Sequence, residues 1–93
     1  MRILVINGNS NASISLGIKK AAQEAAFPGT DIQMITPHMG PDTVEGYLDA
    51  DLAGVAMCEE IVRYREKADA FVIACFSDPG LNASREITQK PVI

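Results

Sequence analysis

Two cysteines are the side chains of this 93-residue sequence best suited to chemistry, and they occupy different settings. Cys75 ends the apolar run Ala70–Cys75 and is followed by Phe-Ser-Asp-Pro-Gly. We expect Asp78 to cap a helix that begins at Pro79, so that the Cys75 thiol faces the positive end of that helix. This position favours a thiolate, but the apolar run fits an inert core thiol equally well.

Cys58 is predicted to be structural. It shares an apolar stripe of a long predicted helix with Leu48, Leu52, Val55 and Val62. Because free cysteine commonly behaves as a small hydrophobic residue, we expect this stripe to face the core. Two cysteines at this spacing indicate neither a disulfide framework nor a metal cluster, and the sequence shows no export signal. The cytosol is therefore the expected compartment, with both thiols reduced.

The segment Asn7–Asn11 and the single histidine are the other polar candidates. The segment lacks the glycine spacing and the lysine of a phosphate loop, which argues against a dinucleotide or nucleoside triphosphate site. Its amides and hydroxyls suit a small carboxylate or imide at a helix N-terminus, and they equally suit a tight turn with a helix cap. His38 lies in a predicted loop, where a partly exposed, non-catalytic role is favoured over an acid/base role.

Composition indicates one small globular domain. Hydrophobic residues make up 47% of the chain, charged residues make up 22%, and the net charge is -4. The length supports one core and is too short for two domains. The acidic balance does not favour nucleic acid or an anionic membrane surface as a partner. The first apolar run, Ile3–Ile6, is too short to span a membrane.

The apolar pattern predicts alternating strands and helices. The predicted strands are Arg2–Asn7, Asp31–Thr36, Ala70–Cys75 and one that begins at Pro91. The predicted helices are one that ends at Pro28-Gly29, one from Asp42 to Lys67, and Pro79–Thr88. Asp42 and Glu45 are expected to form a capping box at the start of the second helix. The order β-α-β-α-β-α-β implies a mostly parallel sheet in a three-layer α-β-α arrangement. Loops that follow the strands then meet at the carboxyl edge of the sheet, where ligands bind in such folds.

Three stretches resemble the aspartate/glutamate/hydantoin racemase superfamily, particularly its hydantoin and allantoin racemase branch. They are MRILVINGNSNASIS, ITPHMGPDTVEGYLDADLA and VIACFSDPGLNASREITQKPVI. The most specific part is the Ala-Cys-Phe-x-Asp-Pro-Gly-Leu run at residues 74–81. The resemblance implies one half of a two-domain racemase-like fold. On that basis we expect residues 1–93 to be an amino-terminal α/β half domain that stops before the second half.

The resemblance also implies a chemistry, namely cofactor-independent and metal-free racemisation of a hydantoin-like or amino-acid-like small molecule. One cysteine thiolate removes the proton from the carbon α to a carbonyl, and a second cysteine returns a proton to the opposite face. Cys75 matches one of these two catalytic positions. Asn7, Asn9, Phe76 and Ser77 match positions that hold the substrate.

The sequence departs from the family pattern at two places. Members commonly read Asn-Pro-Asn where this chain has Gly8 between its two asparagines, and the second catalytic cysteine has no match. Cys58 does not replace it, because it falls inside a helix of the same half. The 93 residues alone are therefore expected to lack racemase activity. A maleate isomerase-like or decarboxylase-like member, and a non-catalytic half domain that binds or oligomerises, remain alternatives. A homo-oligomer is expected.

Overall fold

The computed structural model describes all residues, Met1–Ile93, and shows strands and helices in strict alternation. The elements are β1 (Arg2–Asn7), α1 (Ala12–Ala25), β2 (Asp31–Ile35), α2 (Tyr47–Tyr64), β3 (Ala70–Ala74) and α3 (Leu81–Ile87). Strand β1 has the predicted bounds, and β2 and β3 each end one residue earlier than predicted. The predicted α/β class is confirmed. None of the helices is both long and apolar enough to cross a lipid bilayer.

The three strands form a parallel sheet in the order β2-β1-β3. A fourth strand begins beside β3, as predicted, because Val92 bridges Phe71 in parallel and the Phe71 N–H donates to the Pro91 carbonyl at 2.9 Å. Central β1 is flanked on both sides, which explains its continuous apolar sequence. Since β2 and β3 lie on opposite sides of β1, right-handed crossovers place α1 and α2 on opposite faces of the sheet.

The hydrophobic core lies between the sheet and the α2–α3 layer. Its central side chains are those of Leu4, Ile6, Phe71 and Ile73 from the sheet, and of Ala56, Met57 and Ile61 from α2. The opposite face of the sheet is covered only by α1. An apolar groove of about 570 Å³ remains there, lined by Ile3, Val5 and Val72 of the sheet and by Ile18 and Ala22 of α1, among others.

Helix α2 is turned the other way from the prediction. Leu48, Leu52, Val55 and Val62 are all exposed, so the expectation that this stripe faces the core is wrong. The buried side carries Ala53, Gly54, Ala56, Met57, Glu60 and Ile61. Small residues are needed there because α2 approaches the loop before α3 closely. A Cβ on Gly54 would lie 3.1 Å from the backbone nitrogen of Gly80.

Two predicted helix starts are also wrong. Helix α2 begins at Tyr47 without a side-chain cap, and Asp42 instead accepts a hydrogen bond from Ser10 Oγ at 3.1 Å. Helix α3 begins at Leu81 with Gly80 as its N-cap, at a φ of 71°. Glycine is required here both for this left-handed conformation and because a Cβ on Gly80 would lie 2.7 Å from the Gly54 carbonyl oxygen. The Cys75 thiol therefore does not directly precede the helix start.

Replacing Phe71 with alanine should lower the free energy of unfolding by about 3–5 kcal/mol, because the largest fully buried side chain would leave a cavity. Urea denaturation followed by circular dichroism measures the change. Phe76→Ala is the matched control, since the Phe76 side chain is fully exposed and its removal should change stability by no more than about 0.5 kcal/mol. Similar losses in the two variants would contradict this assignment of the core.

Candidate active site at the carboxyl edge of the sheet

The end of β1 is organised by the buried amide of Asn7, whose side chain is 1% exposed. Asn7 Nδ2 donates to the Asn11 carbonyl at 3.0 Å and to Ser15 Oγ at 2.9 Å. Asn7 Oδ1 accepts from the Asn9 N–H at 3.0 Å. The side chain thus uses both ends of its amide to shape the loop between β1 and α1. Direct contact between Asn7 and a substrate stays a prediction.

Two further asparagines of the loop also accept, through their side-chain oxygens, the N–H of the residue two positions later. Asn9 Oδ1 accepts from the Asn11 N–H at 3.0 Å, and Asn11 Oδ1 accepts from the Ser13 N–H at 3.0 Å. Asn11 is therefore the N-cap of α1, one of the caps that the sequence allowed. Ser10 joins this loop to the one after β2, because its N–H donates to the Pro41 carbonyl at 3.0 Å. The two loops form one connected edge.

Cys75 lies directly beside this edge. It follows the last residue of β3, it is half-buried, and part of its surface packs against the core. Gly8, the residue after β1, approaches it closely: a Cβ on Gly8 would overlap Cys75 Cβ and lie 2.8 Å from Cys75 Sγ. Ser77 Oγ lies 3.4 Å from the same sulfur. Both cysteines are free thiols. Cys75 is thus held at the sheet edge by Gly8 on one side and by its own loop on the other.

Two backbone N–H groups at this edge donate to no group of the protein. They belong to Phe76 and Ser77, which lie outside the strands and helices and are absent as donors from the hydrogen bonds that the loops make. Free N–H groups next to a thiol can donate to a carbonyl oxygen or to the oxyanion that forms from it. The side chain of Phe76 points fully into solvent. Phe76 and Ser77 can therefore offer backbone donors whatever their side chains do.

The remaining sequence candidates are placed elsewhere. His38 Nδ1 lies 2.9 Å from Oε1 of Glu60, whose side chain is 2% exposed, and His38 Nε2 lies 3.3 Å from Arg63 Nη2. This cluster sits on α2, so the loop after β2 does not bring the histidine to Cys75. Cys58 Sγ lies 3.8 Å from Ser84 Oγ, between α2 and α3. No group of three or more His, Cys, Asp or Glu side chains could hold a metal ion.

Comparison with known proteins decides the family. Residues 3–93 match the sequence profile described as Asp/Glu/Hydantoin racemase. The chain belongs to this racemase family. It is 47% identical over 94 aligned positions to a hydantoin racemase of Pseudomonas sp. (strain NS671), covering 100% of this chain and 38% of the relative. It is 45% identical to a hydantoin racemase of Paenarthrobacter aurescens, with 100% and 40% coverage.

Solved structures of the racemase family agree with the fold. An allantoin racemase from Klebsiella pneumoniae superimposes with a TM-score of 0.97 at 44% identity, over 100% of this chain and 38% of that structure. An allantoin racemase from Pseudomonas fluorescens gives 0.95 at 36% identity. The chain spans about two fifths of the length of the curated relatives that it matches. Its fold is accordingly that of one half of a two-domain racemase-like protein, as predicted.

The backbone part of the candidate site was not predicted from the sequence. Asn7, Asn9 and Ser77 were predicted through their side chains, and Gly8 only as part of a tight turn. The structure gives Gly8 a packing role against Cys75. A glycine at the carboxyl end of a central parallel strand was the available signal, because such a residue often marks close approach of a ligand or of another segment.

Replacing Gly8 with alanine should destabilise the chain by about 1–3 kcal/mol, because the added methyl group overlaps Cys75 and must displace it. Urea denaturation gives the stability, and the Cα and Cβ chemical shifts of Cys75 report its displacement. Gly17→Ala is the control, since nothing lies within 4 Å of a Cβ at that helical position. It should raise stability by up to about 1 kcal/mol. An unchanged Cys75 signal in Gly8→Ala would refute the contact.

Proposed function

We propose that the longer protein to which this sequence corresponds racemises a hydantoin-like or amino-acid-like small molecule, with Cys75 as one of two acid/base groups. The observation that carries the proposal is the position of the Cys75 thiol beside the N–H groups of Phe76 and Ser77, which donate to no group of the protein. Racemisation at a carbon α to a carbonyl needs both kinds of group. A base must remove the proton, and hydrogen-bond donors must stabilise the enolate-like intermediate.

The proposed proton transfers balance without a cofactor. The Cys75 thiolate takes the α proton and becomes a thiol, while the electron pair of the broken C–H bond moves towards the carbonyl oxygen. A second acid gives a proton to the opposite face of the carbon, and the electron pair returns from the oxygen to form the new bond. In the reverse direction Cys75 is the acid. Each turnover leaves one group protonated and the other deprotonated, so the two exchange roles.

No second cysteine lies at this edge of the sheet. Cys58 lies beside Ser84 between two helices, and His38, in the loop after β2, contacts Glu60 of α2. Two groups must flank one carbon, so we propose that the 93 residues alone do not racemise. The partner group would come from a part of the longer protein that these residues do not include. The reactive form of Cys75 is a free thiol, which a reducing compartment such as the cytosol maintains.

Among the alternatives, the racemase is favoured because the relatives described above are racemases by name. We infer that the substrate carries a carbonyl or imide oxygen for the backbone donors. Asn9 is the loop residue proposed to contact the substrate through its side chain. Asn7 acts on the site through the loop conformation that its three hydrogen bonds maintain. Self-association is also proposed, since large apolar surfaces remain exposed on the chain.

A chimera tests the proposed activity. Residues 1–93 replace the matching segment of the Pseudomonas hydantoin racemase, and the product is incubated with an enantiopure 5-substituted hydantoin in D2O. Loss of optical rotation and deuterium incorporation should both exceed the spontaneous rate. Cys75→Ala should lower the enzymatic rate by about 10²–10⁴-fold, the usual contribution of an acid/base group. Cys58→Ala is the matched control and should leave the rate nearly unchanged.

The same assay on the isolated chain should give only spontaneous racemisation. A folded chimera whose rate is the same with and without Cys75 would overturn the assignment of this residue. An isolated chain that racemises the hydantoin as fast as the chimera would overturn the need for a second group. Circular dichroism of each variant establishes that it is folded.

Alkylation of the isolated chain tests the reactivity of Cys75 separately from turnover. At pH 7 iodoacetamide should modify Cys75 at least about 10-fold faster than Cys58, because the Cys75 thiol lies at the exposed end of β3 whereas the Cys58 thiol lies between α2 and α3. Peptide mass spectrometry over a time course gives both rates in one sample. Cys58 serves as the internal control because it is also half-buried and free. Equal rates would count against Cys75 as the acid/base.

A further inference from the structure

The exposed side of α2 carries a regular apolar stripe that the fold does not use. Leu48, Leu52, Val55 and Val62 are 71%, 49%, 60% and 48% exposed. Their spacing is four, three and seven residues, which is the repeat of a helix that pairs with another helix. Glu59 occupies the one position at which the repeat is interrupted. Met39, itself 54% exposed, lies beside Leu52 and Val55 and widens the stripe.

The charges along α2 favour a particular partner. Asp49 and Asp51 flank the stripe near the N-terminus of the helix, whereas Arg63 and Arg65 flank it at the C-terminal end. At 100° per residue, Asp49 and Arg63 lie on one flank of the stripe, and Asp51 and Arg65 lie on the other. A second α2 in antiparallel orientation would thus place acid opposite base on the flank of Asp49 and Arg63. On the other flank Arg65 already donates to the Ile87 carbonyl at 3.3 Å. The exposed side of α2 is therefore complementary to itself along the flank of Asp49 and Arg63.

We propose that two copies of this chain associate through antiparallel α2 helices, related by a two-fold axis near Val55. Leu48 then faces Val62 of the partner subunit, and Val55 faces Val55 of the partner subunit. Asp49 pairs with Arg63 of the partner subunit on one flank. Antiparallel packing also opposes the two helix dipoles favourably. Glu59 reaches the rim through its flexible stem and leaves its carboxylate in water.

This arrangement leaves the proposed catalytic edge free. The stripe lies on the side of α2 that faces away from the sheet, whereas Gly8 and Cys75 lie at the ends of β1 and β3. The association is therefore independent of the racemase proposal and can hold or fail without it. The apolar groove between α1 and the sheet is the other surface through which two chains could associate. Leu16, on the exposed side of α1, is 72% exposed and is the control position for Leu52.

Sedimentation equilibrium of the 93-residue chain tests the association. The apparent mass should rise from one chain to two over protein concentrations from about 1 µM to about 1 mM. Leu52→Glu should weaken dimerisation by about 100-fold or more, since symmetry places the unpaired charge in the interface twice. Leu16→Glu makes the same chemical change on α1 and should leave the dimer intact. Thermal unfolding shows that both variants are folded.

Disulfide formation between introduced cysteines reports the relative orientation of the two α2 helices. It does not depend on Leu52→Glu or Leu16→Glu. In a chain with Cys58→Ser and Cys75→Ser, Leu48→Cys mixed with Val62→Cys should form a mixed disulfide under oxidised glutathione, and Val55→Cys should link to itself. Efficient linking of Leu48→Cys to itself, with no mixed product, would indicate parallel helices and overturn the proposal. A chain that stays monomeric throughout, or a dimer broken by Leu16→Glu and not by Leu52→Glu, would overturn it as well.

Discussion

The buried amide of Asn7 is the interaction on which the carboxyl edge of the sheet, and with it the candidate site, depends. A primary amide removed from water must find partners for its donors and its acceptor, or the fold loses stability. Asn7 meets this requirement within the segment that follows it, through Asn9, Asn11 and Ser15. Ser15 Oγ in turn lies 2.6 Å from Thr36 Oγ1 at the end of β2. One side chain thereby connects β1, the start of α1 and the neighbouring edge strand.

The parallel sheet could be predicted from the sequence because β1 and β3 are apolar runs bounded by loop residues. The direction in which α2 faces could not be predicted from apolar periodicity, since both of its sides are apolar. One side carries Leu and Val, and the other carries Ala, Gly and Met. Side-chain size decided between them, because contact with Gly80 requires a thin surface. The direction in which α2 faces depends on its contact with the loop that contains Gly80, which is distant in sequence. The apolar pattern of α2 by itself does not contain this contact.

The candidate site was likewise predictable in location and only partly in content. Strand order alone brings the loops after β1 and β3 together, and the resemblance around Cys75 predicts which thiol to test. The helix-cap argument for that thiol was wrong, because α3 begins at Leu81 with Gly80, and not Asp78, as its N-cap. What replaces it is a set of backbone N–H groups. Backbone donors leave no trace in residue types, so only the folded arrangement reveals them.

The contact between Gly8 and Cys75 has a consequence for how this racemase half can vary. Positions 8 and 75 share one small volume, so the residue tolerated at one depends on the residue present at the other. A larger residue at position 8 requires the thiol or the end of the strand to shift. The two positions are therefore epistatic. A substitution that is harmless in one racemase can be damaging in another, even though neither residue changes its chemical role.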